Sequence, residues 1–156
     1  MENISYTFTG IELRERTDEV ISSLTTIWER SVRASHDFLK EEDISALMPF
    51  VQEGLKQIRT LIIAIEKDQY IGFMGIQDQK IEMLFLSPAY FGQGLGRQFI
   101  ELAIHTYKAH YVDVNEQNTQ ALHFYEHLGF EAFQKDETDE QGNPFPILRM
   151  KLKESR

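Results

Sequence analysis

Three glycines at alternate positions, Gly92, Gly94 and Gly96, stand where an apolar run gives way to a helical pattern. The stretch is LFLSPAYFGQGLGRQFIELAI, Leu84 to Ile104. It limits the folds open to the chain, because it demands a strand, a flexible joint and a helix in direct succession. The first N–H groups of a helix have no partner inside it. They point outward at the positive end of a macrodipole worth roughly half a charge. Such an end receives phosphate or pyrophosphate, and glycine lets the backbone approach the anion and adopt positive φ. Arg97 adds a cation in the first turn, where the dipole favours an acid, and that inversion suits an anionic ligand. A tight turn that needs glycine for geometry alone explains the same residues. The pattern is G-x-G-x-G, with Arg97 where a dinucleotide fingerprint has its third glycine, and no G-K-[ST] follows. The preceding strand closes a meander instead of opening a βαβ unit. Neither nucleotide fingerprint therefore fits.

The rest of the chain predicts one soluble domain over residues 1–156, with no repeat, low-complexity tract or linker. At 42% hydrophobic and 26% charged residues the composition is ordinary for a globular protein. Cysteine is absent, which removes a thiol nucleophile, a thiolate metal site and any need for an oxidising compartment. The start MENISYTFTG has no basic, apolar leader pattern, and no run approaches the ~20 apolar residues of a membrane span. The expectation is a cytoplasmic protein without a membrane partner. A net charge of −9 argues against nucleic acid. It does not exclude a small anion, since charges beyond roughly 8 Å are screened.

YTFTGIELRER reads as a first strand, and DEVISSLTTIWERSVRAS as a helix with Asp18 as N-cap and Val20, Leu24, Ile27 and Ser31 inward. EEDISALMPFVQEGL is a second helix in which Pro49 predicts a kink or boundary. From Thr60 to Ser87 three strands alternate with the turns EKDQ and QDQK. The glycine joint leads into GRQFIELAIHTYKAH, with Phe99, Ala103 and Thr106–Tyr107 inward. YVDVN is a strand, and NTQALHFYEHLGF a helix stopped by Gly129. EAFQKDE and PILRMKLK close the chain as two strands around DEQGNPFP. The order gives an α/β domain with a mixed, mostly antiparallel sheet flanked by helices.

Two segments together resemble the GNAT superfamily of acetyl-CoA-dependent N-acetyltransferases. LFLSPAYFGQGLGRQFI resembles its acetyl-CoA signature, Q/R-x-x-G-x-G/A. DVNEQNTQALHFYEHLGF resembles its second conserved segment, N-x-x-A-x-x-F-Y-x-x-x-G-F, at Asn118, Ala121, Phe124, Tyr125, Gly129 and Phe130. IWERSVRASHDFL is similar to a small, uncharacterised bacterial subgroup. The resemblance implies a GNAT-like fold, acetyl-CoA as co-substrate and a small-molecule or peptide amine as acceptor, with a homodimer left open. One position departs. Phe91 occupies the Q/R place, so its side chain offers phosphate nothing. The backbone amides of Gly92, Gln93, Gly94, Leu95, Gly96 and Arg97 would hold the pyrophosphate less tightly.

Amine acetylation by a thioester needs a proton acceptor, a stabilised oxyanion and a proton for the departing thiolate. The resemblance implies a bulge in IEMLFL that turns backbone groups of Leu84, Phe85 and Leu86 toward the thioester arm; the same strand also suits the core. Tyr125 lies where the family often has its general acid, but it also shares a core stripe with Ala121 and Leu128. Asn118 resembles the residue that hydrogen-bonds the cofactor arm and equally suits an N-cap. Glu82, on the strand before the bulge, is the candidate base, acting through water. The resemblance places Arg33 and His36 near the acceptor groove; three apart, they can share a helix face that suits an acceptor carboxylate or, more simply, solvent. HFYEH, His123 to His127, matches an inverted zinc-protease motif. Its polar neighbours put those histidines on a solvated face, so no metal is expected. The reading is transfer of acetyl from acetyl-CoA to a primary amine by direct attack on the thioester. The alternative is a non-catalytic acyl-CoA-binding or sensing module of the same fold.

Overall fold

A computed structural model describes residues 6–154; Met1–Ser5 of the expected leader-free start and Ser155–Arg156 lie outside the described residues. The strands are β1 (Thr7–Gly10), β2 (Thr60–Glu66), β3 (Gln69–Gln77), β4 (Lys80–Leu86), β5 (Tyr111–Asn115), β6 (Phe130–Asp136) and β7 (Ile147–Leu152). The helices are α1 (Asp18–Ser35), α2 (Glu41–Gln57), α3 (Leu95–His105) and α4 (Thr119–His127). The strands form one sheet in the order β1-β2-β3-β4-β5-β7-β6. Every neighbouring pair is antiparallel except β4 and β5.

Both faces of the sheet are covered, which is why β2 reads as the unbroken run LIIAI instead of an alternation. Leu61 and Ile63 pack with α1 and α2, alongside Leu24, Trp28 and Leu55. Ile62 and Ala64 point the other way, into the cluster that holds Phe99 and Ile100 of α3 and Tyr125 of α4. Arg16 ties the α2 end of the first layer together: its guanidinium donates to the carbonyls of Ile11, Leu55 and Ile58. The Leu55 and Ile58 carbonyls lie at the end of α2 and its exit, where helical donors run out.

Four expectations shift in detail. The first strand stops at Gly10 and is followed by a short turn of 3-10 helix at Leu13–Glu15. Thr17, not Asp18, caps α1, its side chain accepting from the Val20 N–H. α2 runs through Pro49 without ending. Pro49 and Ser45, whose carbonyl loses its helical donor, are both exposed, so solvent can serve that carbonyl. α3 ends at His105, so Thr106 and Tyr107 fall beyond it and are exposed instead of inward.

The site is made by one irregularity. Gly75 pairs with Met83 but Ile76 pairs with Ile81, so Glu82 is an extra residue bulged out of β4. A bulge bends and twists its strand. β4 and β5 accordingly pair only at Lys80–Tyr111 and Ile81–Val112 and then part. β5 continues against β7 as far as Asn115, while Leu84, Phe85 and Leu86 continue against β3. The sheet is open between them.

Candidate active site

The opening between β4 and β5 leads into three cavities. One, about 260 Å³, lies between Leu84–Leu86, the glycine joint at Phe91, Gly92 and Gly96, and Asn118 with the α4 residues Phe124 and Tyr125. A second, about 120 Å³, sits in the wedge itself between Glu82–Phe85 and Val112–Asn115 and also touches Tyr125. The third, about 330 Å³, opens on the α1–α2 side. Its apolar wall is Trp28, Phe38, Phe85 and Phe145, and its polar wall carries Glu82, Asp113, Asp139 and Glu140 with Arg149.

The glycines of the joint have separate tasks. Gly92 and Gly94 have φ of 72° and 87°, and a Cβ on either would meet nothing within 4 Å. They are needed for backbone angle, and the space outside them is open. Gly96 is needed for packing: its Cβ would lie 3.2 Å from Cζ of Phe124. That clearance lets the Phe124 ring of α4 lie against the first turn of α3. Gly94 is the left-handed N-cap of α3, and no acid occupies the first turn. Leu95 is buried in the core. Gln93 turns back, donating to the Ala89 carbonyl at 2.8 Å. Arg97 pairs with Glu101 at 3.0 Å along the exposed side of α3. Of the joint, Phe91, Gly92 and Gly96 line the cavity, and the side chains of Gln93, Leu95 and Arg97 do not.

Tyr125 and Glu82, far apart in sequence, meet at the wedge cavity. Tyr125 is 7% exposed and packed edge-on against Phe124 and Phe130. Burial pushes its phenol well above the usual range, so the ring keeps its proton. Glu82, its side chain 38% exposed, is held by the bulge. Partial burial raises its pKa, with Lys80 at 3.7 Å acting in the opposite sense. Lys80 is also bound to Asp113, which in turn receives Arg149. Arg149 donates further to Asp136 at 2.8 Å. The two cations at this end are therefore already engaged by carboxylates.

Asn118 is the N-cap of α4: its Oδ1 accepts the Ala121 N–H at 3.1 Å. Its Nδ2 faces Nε2 of His36 at 3.2 Å. Asn118 caps the helix, as one of its two sequence readings expects, and it also lines the cavity at the glycine joint. His36 does not share a solvated face with Arg33. Arg33 is taken up by Glu29 and Glu41 on the surface, whereas His36 turns into the cleft and lines all three cavities. Burial lowers its pKa to about 4. His123 and His127 are exposed, and no group of three or more His, Asp or Glu among the described residues is placed to hold a metal ion. No helix among the described residues is long and apolar enough to cross a membrane.

Sequence reasoning missed the wall of the third cavity, Trp28, Phe38, Phe145, Asp113, Glu140 and Arg149. No local pattern could have found it, because the residues come from separate elements.

The profile of the acetyltransferase (GNAT) domain matches residues 24–153. Two curated relatives are peptidyl-lysine N-acetyltransferases YjaB. The one from Salmonella typhimurium is 34% identical over 90% of this chain and 97% of its own. The one from Escherichia coli is 36% identical over 90% and 95%. The solution structure of apo YjaB from Escherichia coli superposes with a TM-score of 0.84, at 33% identity, over 97% of this chain and 100% of that one. The PaiA N-acetyltransferase of Thermoplasma acidophilum, solved with coenzyme A, shares the fold at a TM-score of 0.69 and 18% identity, covering 96% and 100%. The chain belongs to the GNAT acetyltransferase family. It is an N-acetyltransferase that uses acetyl-CoA.

Proposed function

We propose that the acceptor is the ε-amine of a lysine in a peptide or protein, acetylated in the wedge between β4 and β5. The observation that carries this reading is the wedge cavity shared by Glu82 and Tyr125, set between a cavity at the glycine joint and an acidic, aromatic-walled one. Four carboxylates against two cations, Arg149 and the neighbouring Lys80, leave an acid excess that suits an ammonium group, and the rings of Trp28, Phe38 and Phe145 suit its methylene stem. The lysine acceptors named for the relatives agree with that chemistry.

In this reading the amides of Gly92 to Arg97 receive the pyrophosphate of acetyl-CoA, as a helix N-terminus does. Gly92 and Gly96 line the way, and Gln93, Gly94, Leu95 and Arg97 contribute backbone only. The arm lies along the free edge of Leu84, Phe85 and Leu86 beside Asn118, and β4 N–H groups polarise the thioester carbonyl. Glu82 takes a proton from the amine, directly or through water. The amine nitrogen attacks the carbonyl carbon, the C–N bond forms and the C–S bond breaks. Tyr125 donates its hydroxyl proton toward the departing sulfur. The reading takes residues 1–156 as one acetyltransferase domain in a bacterial cytoplasm; sedimentation would tell a monomer from a homodimer.

A panel of lysine peptides, peptide N-termini and small amines, read by release of free thiol from acetyl-CoA, tests the acceptor. The chain has no cysteine, so it adds no thiol background. Release with lysine peptides is expected. Release only with α-amines or small amines would overturn the lysine reading, and a flat panel with normal acetyl-CoA binding would point to a non-catalytic module.

A further inference from the structure

Where the three cavities meet stands His36, at the C-cap of α1, joined across the open sheet to Asn118 at the N-cap of α4. The contacts fix which nitrogen of the ring holds a proton. Asn118 Oδ1 is committed to the Ala121 N–H, so the group it turns to His36 is its NH2, a donor. Nε2 must then accept at 3.2 Å. On the other side, Nδ1 lies 2.8 Å from Oγ of Ser35, and that hydroxyl spends its own proton on the Ser31 carbonyl at 2.7 Å. Nδ1 is left to donate. The order runs Asn118 Nδ2–H to His36 Nε2, His36 Nδ1–H to Ser35 Oγ, and Ser35 Oγ–H to the Ser31 carbonyl. Each donor has one acceptor, and a protonated imidazole would present a donor to a donor.

We propose that His36 is a positioning residue of the acetyl-transfer site: a neutral, Nδ1-protonated imidazole that holds the Asn118 amide and the start of α4 in place across the β4–β5 opening. The helix so anchored carries Tyr125, and the amide so oriented borders the cavity at the glycine joint. Burial of the ring, which disfavours the imidazolium, agrees with that state. With Nε2 already accepting, the ring is not the base that takes the amine proton. This inference rests on the acetyl-transfer reading for its kinetic consequence and on geometry alone for its tautomer.

Two measurements test it. Long-range proton–nitrogen NMR on the full chain, labelled at histidine, should show His36 neutral at pH 7 with the proton on Nδ1. An imidazolium, or a proton on Nε2, overturns the proposal without reference to activity. The second measurement compares His36→Gln with His36→Leu. Glutamine supplies an acceptor and a donor on one side chain; leucine supplies neither. His36→Leu should weaken acetyl-CoA binding by titration, and raise its KM, about fivefold, the scale of one hydrogen bond. His36→Gln should restore both to within twofold. If both variants lose kcat alike while acetyl-CoA affinity is unchanged, the ring takes part in proton transfer and the positioning role falls. If His36→Leu binds as wild type does, the link positions nothing. Should His36→Leu fail to fold, the tautomer and the His36→Gln titration decide.

Discussion

The two ends of the cleft are built from different materials. At the glycine joint the groups proposed to act are main-chain amides, and the side chains only clear the way: Gly92 and Gly94 supply backbone angle, and Gly96 makes room for Phe124. At the end proposed for the acceptor the groups are side chains from α1, β4, β5, β7 and the β6–β7 connection, set by burial and by one another. A main-chain site needs consecutive residues, so it is written as a motif. A side-chain site needs only convergence in space. Substitutions should separate the two ends by which quantity they change: cofactor affinity at the first, turnover and pH dependence at the second.

The largest effect should come from Tyr125→Phe. The hydroxyl is lost but the ring keeps its edge-on contacts with Phe124 and Phe130. If the hydroxyl serves the departing sulfur, kcat should fall by roughly 10²–10⁴, the range of general acid catalysis. Acetyl-CoA affinity and Tm should stay near wild type. Single-turnover kinetics read the step directly; a kcat within twofold of wild type would return Tyr125 to the core alone.

Glu82→Gln should come next, with kcat down about 10²-fold and a change in pH dependence that Tyr125→Phe does not produce. A base must be ionised, and burial raises the pKa of Glu82. The acidic limb of kcat/KM should therefore lie above the ordinary carboxylate range and vanish in the variant. Lys80→Met should move that limb higher still, since Lys80 holds the pKa down. The stability sign is opposite to that of a salt-bridged acid. A carboxyl with a raised folded pKa favours the fold most when protonated and loses that contribution as pH rises through the folded value. Glu82→Gln should thus cost no stability at neutral pH. A variant that loses Tm together with kcat would make Glu82 a structural residue.

Gly94→Val and Gly96→Val divide the joint itself. Gly94→Val forces a β-branched residue into φ of 87° with open space around it. The cost falls on the local backbone, about 1–2 kcal/mol, and on acetyl-CoA affinity. Gly96→Val collides with Phe124, so its damage should extend to the α3–α4 contact and appear as a lower Tm. Calorimetry beside acetyl-CoA titration reads both; if Gly94→Val binds normally, the joint is only a turn.

This difference also governs what the sequence could tell. The succession of strands and helices, the antiparallel meander and the joint were legible because each rests on local pattern: LIIAI, the alternate glycines, the turns EKDQ and QDQK. The bulge was legible only through resemblance, since nothing in IEMLFL says which residue is extra. His36 was named from sequence, but its partner was not legible. In ERSVRASHD it looks like one more polar residue beside Arg33. Only the helix end at Ser35 turns its ring away from that surface and toward Asn118, 82 positions along the chain. Phe145 and Glu140 were hidden in the same way, inside a stretch whose composition says only turn.

The smallest effect is expected where the sequence departs from its family. Phe91 stands in place of a Gln or Arg, is 37% exposed, and borders the cavity at the glycine joint. Its ring adds apolar wall but no donor. Phe91→Arg would place a guanidinium beside the N-terminus of α3, where it meets both an incoming pyrophosphate and the positive end of the dipole. The second term opposes the first when the site is empty, so the variant should lose a little Tm without ligand. With acetyl-CoA present the pyrophosphate charge outweighs the dipole, and an exposed charge contact of this kind contributes about 0.3–1 kcal/mol. That is roughly a two- to fivefold gain in affinity, and it should shrink as salt rises. The cross-check is dephospho-CoA, which lacks the 3′-phosphate but keeps the pyrophosphate. An equal gain for both ligands assigns the new contact to the pyrophosphate. A gain only for the intact cofactor assigns it to the 3′-phosphate, and no gain for either separates Phe91 from the phosphates altogether. Because Phe91 lines the cavity at the glycine joint and neither of the other two, kcat at saturating acetyl-CoA should be unchanged, which keeps this variant on the main-chain side of the comparison.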